Sequence, residues 1–217
     1  MSIHYGIIST SSITPRFIAA ARSSKDSQVL ALASRDLKKA REKADQWQIP
    51  RAYGSYEELM EDPDIQIIYI STINSLHYTY ARMALETGHH VLCEKPFTLS
   101  EEESRDLFSL AKEKDLFLME AEKVVFLPVM QEIKARIKAG ELGRITMADF
   151  SSSFDPGYNN WFFDASKGGG PFYGNAIYSL QRLAFKGAHT NIEVLLQILN
   201  LDQRLFLSQR NVVLFAH

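Results

Sequence analysis

A lysine and a proline follow an apolar segment of this sequence at a point where chemistry is often done. Residues 89–94, HHVLCE, have the pattern of a buried strand, and Lys95 and Pro96 come directly after them. The carboxyl end of a parallel strand is where α/β sheets bind their ligands, so Lys95 is a candidate functional residue. The alternative is that Glu94 and Lys95 form an ordinary solvated strand end. The residues at the ends of the other predicted strands distinguish between these two interpretations.

A serine-rich turn follows the first apolar segment, residues 3–9, in the position of a phosphate-binding turn. Dinucleotide folds place glycines there, so that backbone N–H groups and a helix N-terminus meet the pyrophosphate. Gly6 precedes this turn and no glycine lies inside it. Serine side chains would crowd the backbone, although their hydroxyls can donate to phosphate oxygens. The candidate pyrophosphate-binding residues are Ser9, Thr10, Ser11, Ser12 and Ile13.

Ser34 and Arg35 end the second apolar segment, where such folds recognise the cofactor's ribose. An acidic residue there binds the ribose hydroxyls of NAD, whereas an arginine accepts the 2′-phosphate of NADP. A bidentate arginine–phosphate contact contributes about 1.5–3 kcal/mol, or on the order of 10- to 150-fold in affinity. Arg35 therefore predicts a preference for NADP(H), with NAD(H) as the alternative cofactor. The competing interpretation is that Arg35 only begins a charged surface helix with Lys38 and Lys39.

Secondary structure must position these candidate residues. The sequence alternates between patterns typical of strands and patterns typical of helices. The predicted strands are residues 3–9, 28–34, 65–72, 89–94 and 116–120. The predicted helix starts are Pro15, Asp36, Ser55 with Glu58, and Ser100 with Glu103. Repeated β-α-β units imply right-handed crossovers and a parallel, doubly wound sheet, so the predicted fold class is α/β of the Rossmann type. Its strand ends would gather the candidate residues around one crevice.

Composition excludes several other classes of protein. The chain has 217 residues, a net charge of -2 and a pI near 6.3, without the basic surface that nucleic-acid binding needs. Its only cysteine, Cys93, cannot form an internal disulfide or a cysteine metal site. The histidines lack metal-ligand spacing, so no metal is assigned. No segment resembles a secretory signal or a membrane span, and the expected location is the cytoplasm.

Two longer motifs resemble the Gfo/Idh/MocA family of NAD(P)-dependent oxidoreductases. They are YGSYEELMEDPDIQIIYISTINSLHY (53–78) and HHVLCEKPFTLSEEES (89–104). The resemblance continues through GELGRITMADF (140–150) and KGGGPFYGNAIYSL (167–180). It implies an NAD(P)-binding Rossmann domain over residues 1–120. It also implies a partial α+β domain for substrate binding and oligomerisation over residues 121–217.

The resemblance assigns the catalytic role to Lys95. It implies that Lys95 lies beside the nicotinamide and hydrogen-bonds the substrate oxygen, a type of acid–base contribution of typically ~10²–10⁴-fold. Glu94 and Pro96 would fix the backbone, and the peptide before Pro96 is a candidate for the cis form. Tyr178 matches a histidine or tyrosine that aids proton transfer. Many family members carry an aspartate where this chain has Gly174, which leaves Lys95 and Tyr178 as the expected pair.

Further residues are assigned to the cofactor, some by the position of a strand end and some by the same resemblance. Thr72 ends a predicted strand at the expected crevice, and Asn74 and His77 match the segment over the nicotinamide ribose. For His77, the competing interpretation is a histidine that caps a helix. Glu120 and Lys123 either line the same pocket or are solvated charges at the start of a helix.

The resemblance stops after about residue 180, and the chain ends well short of the family's usual length. We expect a truncated or frame-disrupted second domain, with a buried helix in the tail, and self-association into homo-oligomers. The predicted function is NADP(H)-dependent hydride transfer at a CH–OH or C=O carbon of a sugar, polyol or diol. One alternative is an NADP(H)-binding remnant without activity. Another is a different Rossmann enzyme, such as a methyltransferase, in which Lys95 would have no evident task.

Overall fold

Strands and helices alternate through the residues that the computed structural model describes, which are 2–143, 157 and 161–178. The strands are β1 (Ile3–Ile8), β2 (Ser27–Ala33), β3 (Arg51–Tyr53), β4 (Ile67–Ile70), β5 (His90–Cys93) and β6 (Leu118–Glu120). The α-helices are α1 (Thr14–Ser23), α2 (Leu37–Gln46), α3 (Tyr56–Met60), α4 (His77–Glu86), α5 (Glu101–Glu113) and α6 (Pro128–Lys138). Shorter helical segments are Asn74–Leu76, Lys123–Phe126, Trp161–Phe163, Ala165–Lys167 and Phe172–Ala176.

The strands form one parallel sheet in the order β3-β2-β1-β4-β5-β6. This is the Rossmann order, in which the direction of the crossovers reverses between β1 and β4. The predicted α/β fold is confirmed. The edge strand β3 was missed from the sequence because its three residues are too short to show an alternating pattern.

Each face of the sheet carries its own apolar core. Successive side chains of a strand point to opposite faces, and Ile7 and Ile8 accordingly belong to different clusters. The larger cluster joins Ile8 to residues of α3, α4 and α5, and the smaller one joins Ile7 to residues of α1 and α2. Full burial of an isoleucine side chain stabilises a fold by roughly 1.5–3 kcal/mol. The sheet is therefore held between two helical layers.

Side-chain caps begin three of the helices where the sequence predicts them. Asp36 accepts hydrogen bonds from the backbone amides of the first turn of α2, at 2.8 and 3.3 Å. Ser55 accepts from the amide of Glu58 at 3.1 Å, and Ser100 accepts from that of Glu103 at 3.2 Å. Each cap of this type contributes about 1 kcal/mol.

Gly6 lies within β1, ahead of the serine turn. A Cβ atom at this position would lie 2.7 Å from Leu59 Cδ2. A side chain at this position would therefore crowd Leu59 of α3, which packs closely against β1.

The chain divides into two compact units. The first extends through Ala121 and includes Ser166–Gly168, and the second begins at Glu122. All strands of the sheet belong to the first unit. No helix in the described part of the chain is long and apolar enough to cross a membrane. The interpretation of the tail after about residue 180 lies outside the described residues.

Candidate active site

Backbone hydrogen bonds beyond the strands bring four strand ends together at the carboxyl edge of the sheet. The amide of Ser9 donates to Ala33 O at 3.1 Å, and that of Ser71 donates to Ile8 O at 3.2 Å. The amide of Glu94 donates to Ile70 O at 2.9 Å. The predicted serine turn and the Lys95 segment therefore begin at the same edge, which is where Rossmann sheets bind their ligands.

The serine turn is built around Thr14, which the sequence did not single out. Thr14 is fully buried, and its hydroxyl lies 3.1 Å from Ser11 Oγ and 3.1 Å from Ser71 Oγ. It also donates to Ser9 O at 3.4 Å. These contacts hold the turn between the ends of β1 and β4.

The turn leaves the N-terminus of α1 without a side-chain cap. Ile13 occupies the capping position and makes no side-chain hydrogen bond, and Pro15 follows in the first turn of the helix. The amides of Thr14 and Arg16 bond to Ser11 O and Ile13 O, and Pro15 has no N–H, so an anion at this end would be bound by amides of the turn before the helix. Ser9 has a φ angle of 89°, a conformation that glycine adopts far more readily than serine.

Ser34 and Arg35 follow β2 at the same edge. Ser34 is buried, and its amide donates to Tyr53 O at 3.2 Å, so the end of β2 is fixed to the end of β3. The side chain of Arg35 is exposed, and the structure describes no ion pair for it among the residues that it covers. Its guanidinium is therefore suited to an anionic group at the end of β2.

Two carboxylates lie on either side of the Lys95 segment, one bonded to a side chain and one to the backbone. The hydroxyl of Tyr69 donates to Glu94 Oε1 at 2.7 Å, and Glu120 Oε1 accepts from the amide of Phe97 at 2.9 Å. Burial first, and then the charge of Glu94, raise the pKa of Tyr69, which keeps its hydroxyl protonated as a donor. The peptide between Lys95 and Pro96 is cis. Sequence inspection missed Tyr69, whose pattern is that of a core residue.

His77 lies between the ends of β4 and β5. It is 1% exposed, with Nδ1 2.8 Å from Pro96 O and Nε2 3.2 Å from Thr72 O. Burial lowers the pKa of His77 below the ordinary value of histidine, against the opposing effect of its carbonyl neighbours. A neutral imidazole has one N–H, so His77 donates to one of these carbonyls and its other ring nitrogen lies against the second, between the two loops.

Asn74 is also buried and binds a distant segment of the same unit. Its Nδ2 donates to Gly168 O at 2.7 Å. Gly168 has a φ angle of 71°, and a Cβ there would lie 2.6 Å from Leu99 Cδ2. This contact explains why the first of the three consecutive glycines is required.

Tyr178, the second predicted catalytic residue, is half-buried in the second unit. The ammonium of Lys123 lies 5.8 Å from the centre of its ring, a cation–π contact. A Cβ at Gly174 would lie 2.2 Å from Phe162 Cε2, so an aspartate there would require the ring of Phe162 to move. Lys95 belongs to the first unit, and its pairing with Tyr178 stays a prediction. Within the described residues there is no cluster of metal-binding side chains.

Two family models match the chain. The model described as "Oxidoreductase family, NAD-binding Rossmann fold" matches residues 3–122, and a "GFO/IDH/MocA C-terminal domain" model matches residues 130–190.

Curated relatives carry the name trans-1,2-dihydrobenzene-1,2-diol dehydrogenase. The protein of that name from Xenopus laevis is 41% identical over 147 residues, which are 67% of this chain and 44% of the relative. The protein of that name from Mus musculus is 35% identical over 186 residues, or 85% and 56% of the two chains. The chain thus spans about half the length of the curated relatives that it matches.

Solved structures show the same architecture. A 3-ketoreductase from Actinomadura kijaniata in complex with NADP and TDP-benzene has a TM-score of 0.77 and 26% identity, over 83% of this chain and 56% of that one. An NAD-binding oxidoreductase from Klebsiella pneumoniae has a TM-score of 0.76 and 25% identity, over 85% and 53%.

Proposed function

Because the chain belongs to the Gfo/Idh/MocA family of oxidoreductases, we propose that it binds NADP(H) and moves a hydride to or from a small substrate. The substrate carbon bears a hydroxyl or a carbonyl group on a sugar, polyol or diol. A diol substrate is supported by relatives named as diol dehydrogenases. A carbonyl group on the substrate is supported by a structural neighbour named as a ketoreductase.

The observation that best supports this proposal is that the carboxyl ends of several strands lie together at one edge of the sheet. The backbone bonds from Ser71 to β1 and from Glu94 to β4 put the serine turn and the Lys95 segment at one edge of the sheet. A cofactor whose pyrophosphate lay on the serine turn before α1 would extend along this edge toward Lys95. When bound, its nicotinamide takes up or supplies the hydride.

Lys95 is proposed to handle the proton. During oxidation, the neutral amine of Lys95 accepts the hydroxyl proton while the hydride leaves the same carbon, and a carbonyl forms. During reduction, the ammonium returns a proton to the carbonyl oxygen. The anchors at Glu94 and Phe97 hold this residue in place, and Tyr178 is proposed to assist the transfer.

The preference for NADP(H) is proposed on the basis of Arg35. The remaining proposed contacts to the cofactor come from the serine turn, Ser34, Thr72, Asn74 and Glu94, with His77 acting through the loops that it connects.

Calorimetric titration of the purified chain with NADPH, and then with NADH, tests the cofactor assignment. We expect NADPH to bind more tightly. In Arg35→Asp, NADPH affinity should fall on the order of 10- to 150-fold because a bidentate phosphate contact is lost, while NADH affinity stays nearly constant.

Arg41→Asp is the matched control, because it makes the same change of charge at an exposed position of α2. Equal losses for NADPH and NADH in Arg35→Asp would contradict recognition of the 2′-phosphate. The absence of binding heat with either cofactor would refute the proposed function for this chain.

A second candidate function is binding of NADP(H) without turnover. The observation that favours it is Gly174, where the ring of Phe162 occupies the space that a carboxylate side chain would need. A screen of sugars, polyols and diols, followed by the absorbance of NADPH, separates the two candidates. Turnover with any of these substrates would exclude the second.

Association of copies of this chain is a further proposal. It is based on exposed apolar side chains of the second unit, among them Phe126 and Val129, each 61% exposed. Light scattering of the purified chain tests this expectation, and a monodisperse monomer would contradict it. We propose no nucleic-acid or membrane partner.

A further inference from the structure

Three side-chain hydroxyls form a continuous hydrogen-bonded chain between the serine turn and the end of β4. Ser11 Oγ lies 3.1 Å from Thr14 Oγ1, which in turn lies 3.1 Å from Ser71 Oγ. This hydroxyl chain ends at a backbone carbonyl, because the hydroxyl of Ser71 donates to Ile8 O at 3.2 Å. Thr14 is fully buried and Ser71 is 1% exposed, so the two inner hydroxyls are shielded from solvent.

A count of protons gives the direction of the hydroxyl chain. Each hydroxyl has one proton to donate, and its oxygen can also accept. The proton of Ser71 is used at Ile8 O, so the contact between Thr14 and Ser71 requires the proton of Thr14. The contact between Ser11 and Thr14 then requires the proton of Ser11. Donation from Thr14 to Ser9 O, at 3.4 Å, leaves the same requirement for Ser11. The Ser11 hydroxyl therefore donates inward and keeps no proton for a phosphate.

Backbone amides are the donors that the turn keeps for an anion. Within the part of the chain that the structure describes, the amides of residues 10–13 donate to no protein acceptor. Successive amides of one turn suit the oxygens of a pyrophosphate. Their directions depend on the backbone of the turn, which the hydroxyl of Thr14 joins to Ser71.

We propose that Thr14 is a positioning residue for the cofactor's pyrophosphate, because its buried hydroxyl fixes the turn whose amides bind that group. This inference rests on the proposed function, in which the serine turn binds the cofactor. Ser11 then contacts the pyrophosphate through its amide, and its hydroxyl holds the turn in place.

Calorimetric titrations of Thr14→Val with NADPH and NADH test the inference, at a temperature below the melting transition of every variant. Valine nearly keeps the shape of threonine and replaces the hydroxyl by a methyl group. We expect the affinity for both cofactors to fall by the same factor, roughly 3- to 10-fold, since both carry the pyrophosphate and one hydrogen bond is lost. Thr14→Ser keeps the hydroxyl and should retain the wild-type affinity.

Thr87→Val is the matched control. It removes a threonine hydroxyl that is bonded to Met83 O and Ala84 O, both at 3.0 Å, just after α4 and away from the serine turn. Its affinity for both cofactors should equal that of the wild type.

Ser71→Ala interrupts the hydroxyl chain at its inner end and provides a second test, which decides the matter if Thr14→Val does not fold. We expect a loss of affinity in the same direction. The double variant of Thr14→Val and Ser71→Ala should bind no more weakly than the weaker single variant, because both changes break the same connection. Additive losses would show that the two hydroxyls act separately and would overturn the inference.

The remaining outcomes separate the inference from the proposed function. If the wild type binds neither cofactor, the proposed function is wrong and the inference fails with it. If the wild type binds a cofactor and Thr14→Val binds it equally well, only the inference is overturned. A loss in Thr14→Ser equal to that in Thr14→Val would assign Thr14 a role in packing alone and would also overturn it.

Discussion

Lys95 is the residue on which the proposed chemistry depends, and its neighbours on both sides are fixed. Tyr69 binds the carboxylate of Glu94, and Glu120 binds the amide of Phe97. A catalytic group gains from such anchors because its position is set before substrate arrives. The side chain of Lys95 is partly exposed at the edge of the sheet, as contact with a ligand requires.

Replacement of Lys95 by alanine tests whether this residue contributes to turnover and not to cofactor binding. We expect turnover to fall roughly 10²–10⁴-fold, since the acid–base group is lost, while NADPH affinity changes less than about threefold. Steady-state kinetics and calorimetry measure the two quantities. Lys112→Ala, on the exposed side of α5, is the control and should match the wild type in both. Unchanged turnover in Lys95→Ala would remove this residue from the mechanism.

At the scale of elements, the β1–α1 turn combines a strained residue with an uncapped helix. Ser9 adopts its φ angle of 89° with a Cβ atom present. A left-handed conformation costs a non-glycine residue about 1–2 kcal/mol. The contacts of Thr14 with Ser11 and Ser71 maintain the turn in spite of that cost.

Ser9→Gly should relieve this strain. We expect a gain of about 0.5–1 kcal/mol in the free energy of unfolding, because the relief exceeds the extra chain entropy that glycine brings. Urea unfolding measures the change. Ser9→Ala keeps the Cβ atom and should show no gain. Ser9→Gly and Ser9→Ala variants of equal stability would show that the turn is not strained at this position.

At the scale of the whole molecule, an ion-pair network lies at the amino edge of the sheet, opposite the edge of the proposed site. Arg51 begins β3 at the amino edge and pairs with Asp62 at 2.7 Å and with Asp64 at 2.7 Å. The hydroxyl of Tyr53 also donates to Asp62 at 2.8 Å. Burial alone would raise the pKa of Asp62, but these hydrogen bonds outweigh it and the pKa is lowered.

The stability of the fold should therefore depend on pH through Asp62. A carboxyl whose pKa is lowered by folding stabilises the protein above the unfolded value of about 3.9, and this is lost as pH falls through the folded pKa. We expect Asp62→Asn to cost about 1–3 kcal/mol near pH 7, since a buried hydrogen-bonded carboxylate is replaced.

Urea unfolding at neutral pH and near pH 3 measures this difference between Asp62→Asn and the wild type. It should shrink at the lower pH, because the carboxyl of the unfolded chain takes up a proton before that of the folded protein does. Asp64→Asn is the control and should cost less than about 1 kcal/mol, because the Asp64 side chain is 55% exposed. A difference that stays constant with pH would contradict the assigned role of Asp62.

Helix starts and most of the sheet were predictable because their signals lie within a few residues. Asp36, Ser55 and Ser100 cap helices through amides two or three positions away, and such contacts do not depend on the rest of the fold. The apolar run of β4 indicated a strand covered on both faces, which the two core clusters confirm. Arg35 and Lys95 were chosen as candidates because both directly follow recognisable strands.

The sequence by itself thus determined the α/β class, the parallel sheet and the edge at which the candidate residues gather. Only the tertiary structure decided how their side chains are held. Tyr69 with Glu94, Thr14 with Ser71 and the His77 bridge join residues 25, 57 and 19 positions apart. Local periodicity and capping carry no information about such pairs, because crossover connections and packing against the sheet bring them together.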